Sequence, residues 1–171
     1  MKKLEENKKY HFWLLQTGEP IHPDKEGYRP MRLVNLSNFL LSKGHSSTIF
    51  TSKFNHLKKD FRKPESNSQR FNKKIDYIYL DSIGYSNNIS LKRLIDHFCL
   101  SFSLIKKLFL YKGKSPDFIF IGFPPIEIAF VMVLYAKLRS IRCILDVKDQ
   151  WPEIFERAGG ENFLKCILLK I

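Results

Sequence analysis

Cysteine, glycine and proline are all scarce in this chain, and each shortage removes a class of protein. Only three cysteines occur, Cys99, Cys143 and Cys166, with no C-x-x-C pair among them. A sparse, odd set of this kind points to reduced, buried thiols in a cytoplasmic protein rather than to a disulfide framework. Glycine and proline contribute 8 positions each, too few for a collagen-like or low-complexity chain. No G-x-G-x-x-G follows the first apolar segment, which argues against a nicotinamide or flavin dinucleotide site. Gly113-Lys114-Ser115 copies the end of a P-loop, but Leu108 stands where its first glycine belongs, and the segment leads from helix into strand, the reverse of the P-loop order. The five histidines, His11, His22, His45, His56 and His97, show no metal-ligand spacing, so no metal is expected; His97, alone on a helix, reads as a solvated or satisfied residue. Met1 to Tyr10 is a charged leader without the apolar stretch of an export signal. Phe118 to Ala136 carries one charge, Glu127, but Gly122, Pro124 and Pro125 break it, so no membrane-spanning helix is expected there.

What the chain does have is an apolar core and an uneven basic charge. Its 171 residues are 44% hydrophobic and 14% aromatic, enough for one domain with a real core. The net charge of +12 is concentrated towards the start: residues 1–74 hold 16 Lys/Arg against 7 Asp/Glu, whereas residues 115–171 balance at 7 each. A face of that kind suits phosphates, whether on a nucleic acid, an anionic membrane surface or a pyrophosphate-linked substrate; a merely solvated Lys-rich loop is the plain alternative. Nucleic acid is the weakest of these, because the aromatics lie within apolar segments and not among the lysines as stacking platforms.

The apolar pattern alternates between two periods. His11 to Gln16 is a short, buried first strand. The loop from Thr17 to Gly27 is unusually long for an α/β connection. A helix follows from about Pro30 to Lys43 on the stripe Leu33, Leu36 and Leu40, with Gly44 as its left-handed stop. Ser47 to Thr51 is a second strand, residues 52–74 a polar, basic excursion without period, and Ile75 to Leu80 a strand with Ile75, Tyr77 and Tyr79 on one face. Ser90 caps a long helix running to about Lys112, with Leu91, Leu94, Ile95, Phe98, Phe102, Ile105, Leu108 and Phe109 expected to face the core. Leu100, Leu104 and Tyr111 fall outside that stripe. Phe118 to Ile121 is a strand, Ile126 to about Arg139 a helix, and Arg142 to Val147 another buried strand. Strands alternating with helices predict an α/β fold, a Rossmann-like doubly wound parallel sheet, over residues 10–160. Residues 1–9 form the leader and 161–171 the start of a further helix.

Ligands of such sheets bind outside the carboxyl ends of the strands. Here those ends are the 17–29 loop, the turn at Gly84-Tyr85, Phe123-Pro124-Pro125, and Asp146 to Glu153. In the last, three carboxylates, Asp146, Asp149 and Glu153, fall within eight residues. They can accept hydrogen bonds from sugar hydroxyls, orient a base or hold a metal, or serve only to start the helix opened by Pro152. In Gly27-Tyr28-Arg29-Pro30-Met31-Arg32, a helix N-terminus next to a glycine and two arginines offers an anion site.

The run from Gly27-Tyr28-Arg29-Pro30-Met31-Arg32 to Gly44-His45 resembles the N-terminal signature of family-4 glycosyltransferases. Phe118 to Phe123 with its following helix does too, as does the segment Tyr85 to Arg93. Most specific is Asp146-Val147-Lys148-Asp149-Gln150-Trp151-Pro152-Glu153, which resembles the D-V-R-D-L-W-P-[DE] signature of the branch that builds O-antigen, capsule and colanic acid. Lys148 and Gln150 replace the usual Arg and Leu, and Glu26-Gly27 stands where a paired glycine is usual. The resemblance implies the N-terminal half of a two-domain GT-B fold. It also implies retaining transfer of a sugar from a nucleotide-sugar to a glycan or lipid-linked acceptor, at the inner face of the cell membrane and without an essential metal or a cofactor. In that family the N-terminal domain mainly holds the acceptor, and a C-terminal domain, which would lie beyond Ile171, holds the donor. On this reading the chain is incomplete and inactive alone. Gly27, Tyr28, Arg29 and Arg32 would face the donor diphosphate or an anionic acceptor. Asp149, as the catalytic candidate, would orient acceptor hydroxyls with Asp146 and Glu153, while Trp151 packs beneath and Phe123 and Pro124 form a wall. A non-catalytic basic module, docking on an anionic membrane or a nucleic acid through residues 53–74, is the alternative.

Overall fold

The computed structural model describes residues 8–24, 29–64, 66, 68–72, 74–88 and 90–148. In chain order these form β1 (His11–Leu15), α1 (Arg32–Ser42), β2 (Ser46–Ser52), β3 (Phe54–Asn55), β4 (Asp60–Phe61), β5 (Ser68–Asn72), β6 (Ile75–Leu80), α2 (Leu91–Leu110), β7 (Phe118–Phe123), α3 (Ile126–Leu138) and β8 (Arg142–Val147). Six strands make one sheet in the order β5-β6-β2-β1-β7-β8. Every neighbouring pair is parallel except β5 with β6. The fold is therefore α/β and Rossmann-like, and the strand order reverses direction between β1 and β7.

Period-two alternation sends the side chains of each central strand to two cores. Trp13, Leu15, Phe50, Ile78, Leu80, Ile119 and Ile121 join Leu100 and Leu104 of α2 and Met132 and Ala136 of α3 on one face. Leu14, Ile49, Ile75, Tyr77 and Tyr79 meet Leu33 and Leu40 of α1 on the other. Ile75, Tyr77 and Tyr79 share a face as their spacing predicts. Gly44, at φ +85, ends α1 as expected.

Three expectations change. First, residues 52–74 are not without structure: β3 and β4 form a small antiparallel hairpin and β5 extends the sheet edge. Asn55 Oδ1 accepts from the backbone N–H groups of Leu57 and Lys58, which turns the chain between the two short strands. Arg62 then anchors the segment. Its guanidinium donates to both oxygens of Asp24, to the carbonyls of Ser52 and Phe54, and to the carbonyl of Glu19. Second, α2 is turned about its axis relative to the expected stripe. Leu100 and Leu104 face the core, while Leu91, Leu94, Ile95, Phe98, Phe102, Ile105 and Phe109 are exposed. The deciding groups are polar: Asp96 and Ser103 face inward to satisfy the chain leaving β6. Tyr111, just past the helix, packs edge-on to Trp13 at 4.8 Å. Third, β8 has the predicted bounds but lies at the edge of the sheet, with Cys143, Ile144, Leu145 and Val147 exposed. Cys143 is thus not a buried thiol; Cys99 is half-buried, and Cys166 lies outside the described residues.

Among the described residues no helix is long and apolar enough to cross a membrane. Phe118 to Ala136 is divided between β7 and α3.

Candidate functional site

A crevice of about 250 Å³ opens at the carboxyl ends of β1, β2 and β7, where the strand order reverses. Its floor is set by Gln16. The Gln16 Oε1 accepts from the backbone N–H of Thr17 at 2.8 Å and of Gly18 at 3.1 Å, so one side chain shapes the loop leaving β1. Gly122 makes room for it: a Cβ there would stand 2.8 Å from Gln16 Nε2 and 3.1 Å from the Leu15 carbonyl. Thr17, Gly18, Ser52, Pro124 and Pro125 complete the middle of the cleft.

At one end the carboxylate of Glu19, only 4% exposed, accepts from the backbone N–H of Leu33 at 2.9 Å. Met31 caps α1 with no side-chain bond, so Glu19 supplies the missing acceptor and puts negative charge at the positive end of the helix dipole. Its other oxygen pairs with Lys148 Nζ. Beside it Arg32 Nη1 meets Asp146 Oδ1 at 3.0 Å, while Asp146 Oδ2 is buried without a partner among the described residues. The N-terminus of α1, expected to receive a phosphate, thus already holds a carboxylate of the chain itself.

At the opposite end Ser90 caps α2, accepting from the Arg93 backbone N–H, and Arg93, Asp96 and His97 face the crevice together with His56 and Tyr85. Asp96, 1% exposed, takes three bonds on Oδ1, from the Ser82 hydroxyl and the Ile83 and Gly84 N–H groups. Gly84 sits at φ +67 under the rings of Phe54 and Phe61, which would lie 2.9 Å from any Cβ. The β3–β4 hairpin can therefore close on the turn before Tyr85 only if residue 84 is glycine. His97 Nδ1 faces Glu127 Oε2 at 3.4 Å; burial holds its pKa below the usual value against the pull of Glu127. His56 is also held low, by burial first and then by Lys59 and Arg93.

Of the residues expected at the site, Arg32 and Asp146 are brought together, Pro124 lines the crevice, and Phe123 is half-buried against the core. Arg29 is exposed. Gly27, Tyr28, Asp149, Trp151 and Glu153 lie outside the described residues. Sequence reasoning missed Gln16, Glu19, His56, Arg93, Asp96 and His97 as lining residues, and treated Lys148 only as a departure from a pattern. The signal available for Gln16 and Glu19 was their position directly after a buried strand. Nothing local marked His56, which lies in the excursion. Among the described residues no group of three or more His, Cys, Asp or Glu is placed to hold a metal ion. No protein-family model and no curated protein matches the chain.

Proposed function

We propose that the chain is the acceptor-binding domain of a retaining glycosyltransferase, one that moves a sugar from a nucleotide-sugar to an envelope glycan or its lipid-linked precursor. The observation that carries this reading is the crevice at the reversal of strand order, walled by Pro124 and Pro125 and supplied with Gln16, Thr17, Ser52 and the Glu19–Lys148 pair. Amides, hydroxyls and paired charges above short apolar walls are what recognition of a polyhydroxylated ligand requires. Asp146 adds a half-buried carboxylate whose accessible oxygen, the one that pairs with Arg32, would accept from a sugar hydroxyl, and the Asp149 carboxylate of the resembling motif would act beside it. The donor would be held mainly by a further domain.

Saturation-transfer NMR with envelope oligosaccharides and nucleotide-sugars tests this reading. The expected result is transfer to the glycan, shifts at the Thr17 and Gly18 amides, and about tenfold weaker glycan binding in Asp146→Asn, the loss typical of one charge-assisted hydrogen bond of about 1.4 kcal/mol. A folded chain whose crevice amides respond to no glycan overturns it.

A peripheral seat on an anionic membrane is favoured by the outer face of α2. Phe102 and Phe109 are 71% and 86% exposed, and at helical spacing they continue a row through Leu91, Ile95 and Phe98. Lys92 and Lys106, both exposed, flank it. An apolar stripe edged with lysines suits an in-plane helix on acidic lipid. Flotation with anionic but not zwitterionic vesicles is expected, and Phe102→Asp with Phe109→Asp should abolish it without unfolding, since neither residue joins the core. Unchanged flotation of that double variant would remove α2 from the contact.

A further inference from the structure

The end of the crevice nearest α2 holds positive charge for which the sugar reading has no use. Tyr85, 8% exposed, lies at its centre. The Lys59 ammonium stands 4.5 Å from the Tyr85 ring centroid and the Arg93 guanidinium 5.6 Å from it. His56 Nδ1 lies 2.5 Å from the Tyr85 hydroxyl. Lys59 and Arg93 both reach Asn88, one through its side-chain oxygen at 2.5 Å and the other through its carbonyl at 2.6 Å. These are neutral partners. Among the described residues neither cation has a carboxylate within ion-pair distance, and Arg93 Nε is buried with no acceptor.

Two carboxylates stand on this side of the crevice, neither in an ion pair with Lys59 or Arg93: Asp96 Oδ1 is taken up by the turn after β6, and Glu127 faces His97, its Oε2 without a hydrogen bond among the described residues. Burial and the nearby Arg93 both push the Lys59 ammonium below its ordinary pKa. Two like charges converging on one buried ring, with a guanidinium N–H left unbonded, are unfavourable unless an anion joins them. A phosphoryl group fits the chemistry, because arginine presents a planar fork and lysine a point charge to phosphate oxygens.

We propose that Arg93, Lys59, His56 and Tyr85 form a phosphoryl-binding subsite, which takes a phosphate or diphosphate group at the α2 end of the crevice. That this phosphate belongs to the sugar acceptor rests on the function proposed above; the subsite itself does not.

Titration of the whole chain with inorganic pyrophosphate, followed by amide NMR and calorimetry, tests it. Saturable binding with shifts at Tyr85, Asn88 and Arg93 is expected. Arg93→Gln should weaken it about tenfold and Lys59→Gln severalfold, while Lys112→Gln, an exposed lysine past the end of α2, leaves it unchanged. Should Arg93→Gln fail to fold, Lys59→Gln carries the test, since Lys59 lies on an exposed turn. Equal pyrophosphate affinity in wild type and in the folded variants, or no binding at all, overturns the proposal. A soluble short-chain lipid phosphate titrated in parallel identifies the source: tighter binding than pyrophosphate assigns a lipid headgroup, and equal binding a free phosphate. Pyrophosphate binding without glycan binding would leave this subsite standing and the glycosyltransferase reading fallen; glycan binding without pyrophosphate would do the reverse.

Discussion

Asp24→Ala is expected to lower the free energy of unfolding by about 3–5 kcal/mol, the usual cost of stripping one partner from a buried ion pair. Asp24 and Arg62 meet in a two-pronged contact at 2.7 and 2.8 Å, with side chains only 8% and 7% exposed. The remaining guanidinium N–H groups go to three backbone carbonyls, so all five donors of the arginine are in use. Removing the carboxylate leaves a buried cation facing neutral acceptors. Arg62→Lys should be nearly as harmful, because an ammonium cannot span that fork. The Arg70–Asp76 pair, 74% and 38% exposed, is the internal control: Arg70→Ala should change stability by less than about 1 kcal/mol. Urea unfolding of the three variants measures all of this. A loss under about 1 kcal/mol in Asp24→Ala would show that the hub is not a stabilising element.

Acid should weaken the fold well before the carboxylates titrate. His11, 4% exposed on the central strand β1, places its two ring nitrogens 2.8 Å from the Ser46 hydroxyl and 3.0 Å from that of Thr48. Burial, and secondarily Lys114, lowers its pKa from 6.5 to about 4. The native imidazole is therefore neutral where the unfolded one is charged. Between pH 6.5 and 4 the unfolded chain binds the extra proton, so stability falls as pH falls through that window and this group adds nothing further below it. At about 1.4 kcal/mol per unit the loss approaches ~3 kcal/mol. His22, His56 and His97, also lowered by burial, add slope of the same sign. In His11→Asn the slope between pH 6.5 and 5 should shrink without vanishing. An unchanged slope would mean that His11 is protonated in the native state.

The sheet was legible because its strands carry their own evidence. Ile75, Tyr77 and Tyr79 alternate, Phe118 to Ile121 is continuously apolar, and Pro125 and Ser90 mark helix starts that the structure keeps. The strand-end loops followed from the α/β order, which put Pro124 beside the crevice before any geometry was known. The face of α2 was not legible. Apolar periodicity finds a stripe but cannot say which stripe is inside when a helix is apolar on two sides. Here the choice was made by Asp96 and Ser103, whose partners at residues 81–84 lie 12 to 22 positions away. Arg62 was hidden for a similar reason. Set among lysines it looks like a solvated charge, and its counter-ion is 38 residues back in another loop. Tyr85 stood in a quoted motif, but Lys59, which sets a cation over its ring, and His56, which meets its hydroxyl, come from the stretch that looked featureless.

Because the carboxylate of Glu19 already sits on the first turn of α1, the crevice is electrically lopsided along its length. Its α1 end is neutralised by the chain's own carboxylates in ion pairs, whereas among the described residues its α2 end keeps two cations with no carboxylate in ion-pair distance. A ligand with an anionic head and a hydroxyl-rich tail therefore meets a socket with a direction: head towards Tyr85, tail towards Asp146. An unbranched polymer lying in such a groove could be read from one end only.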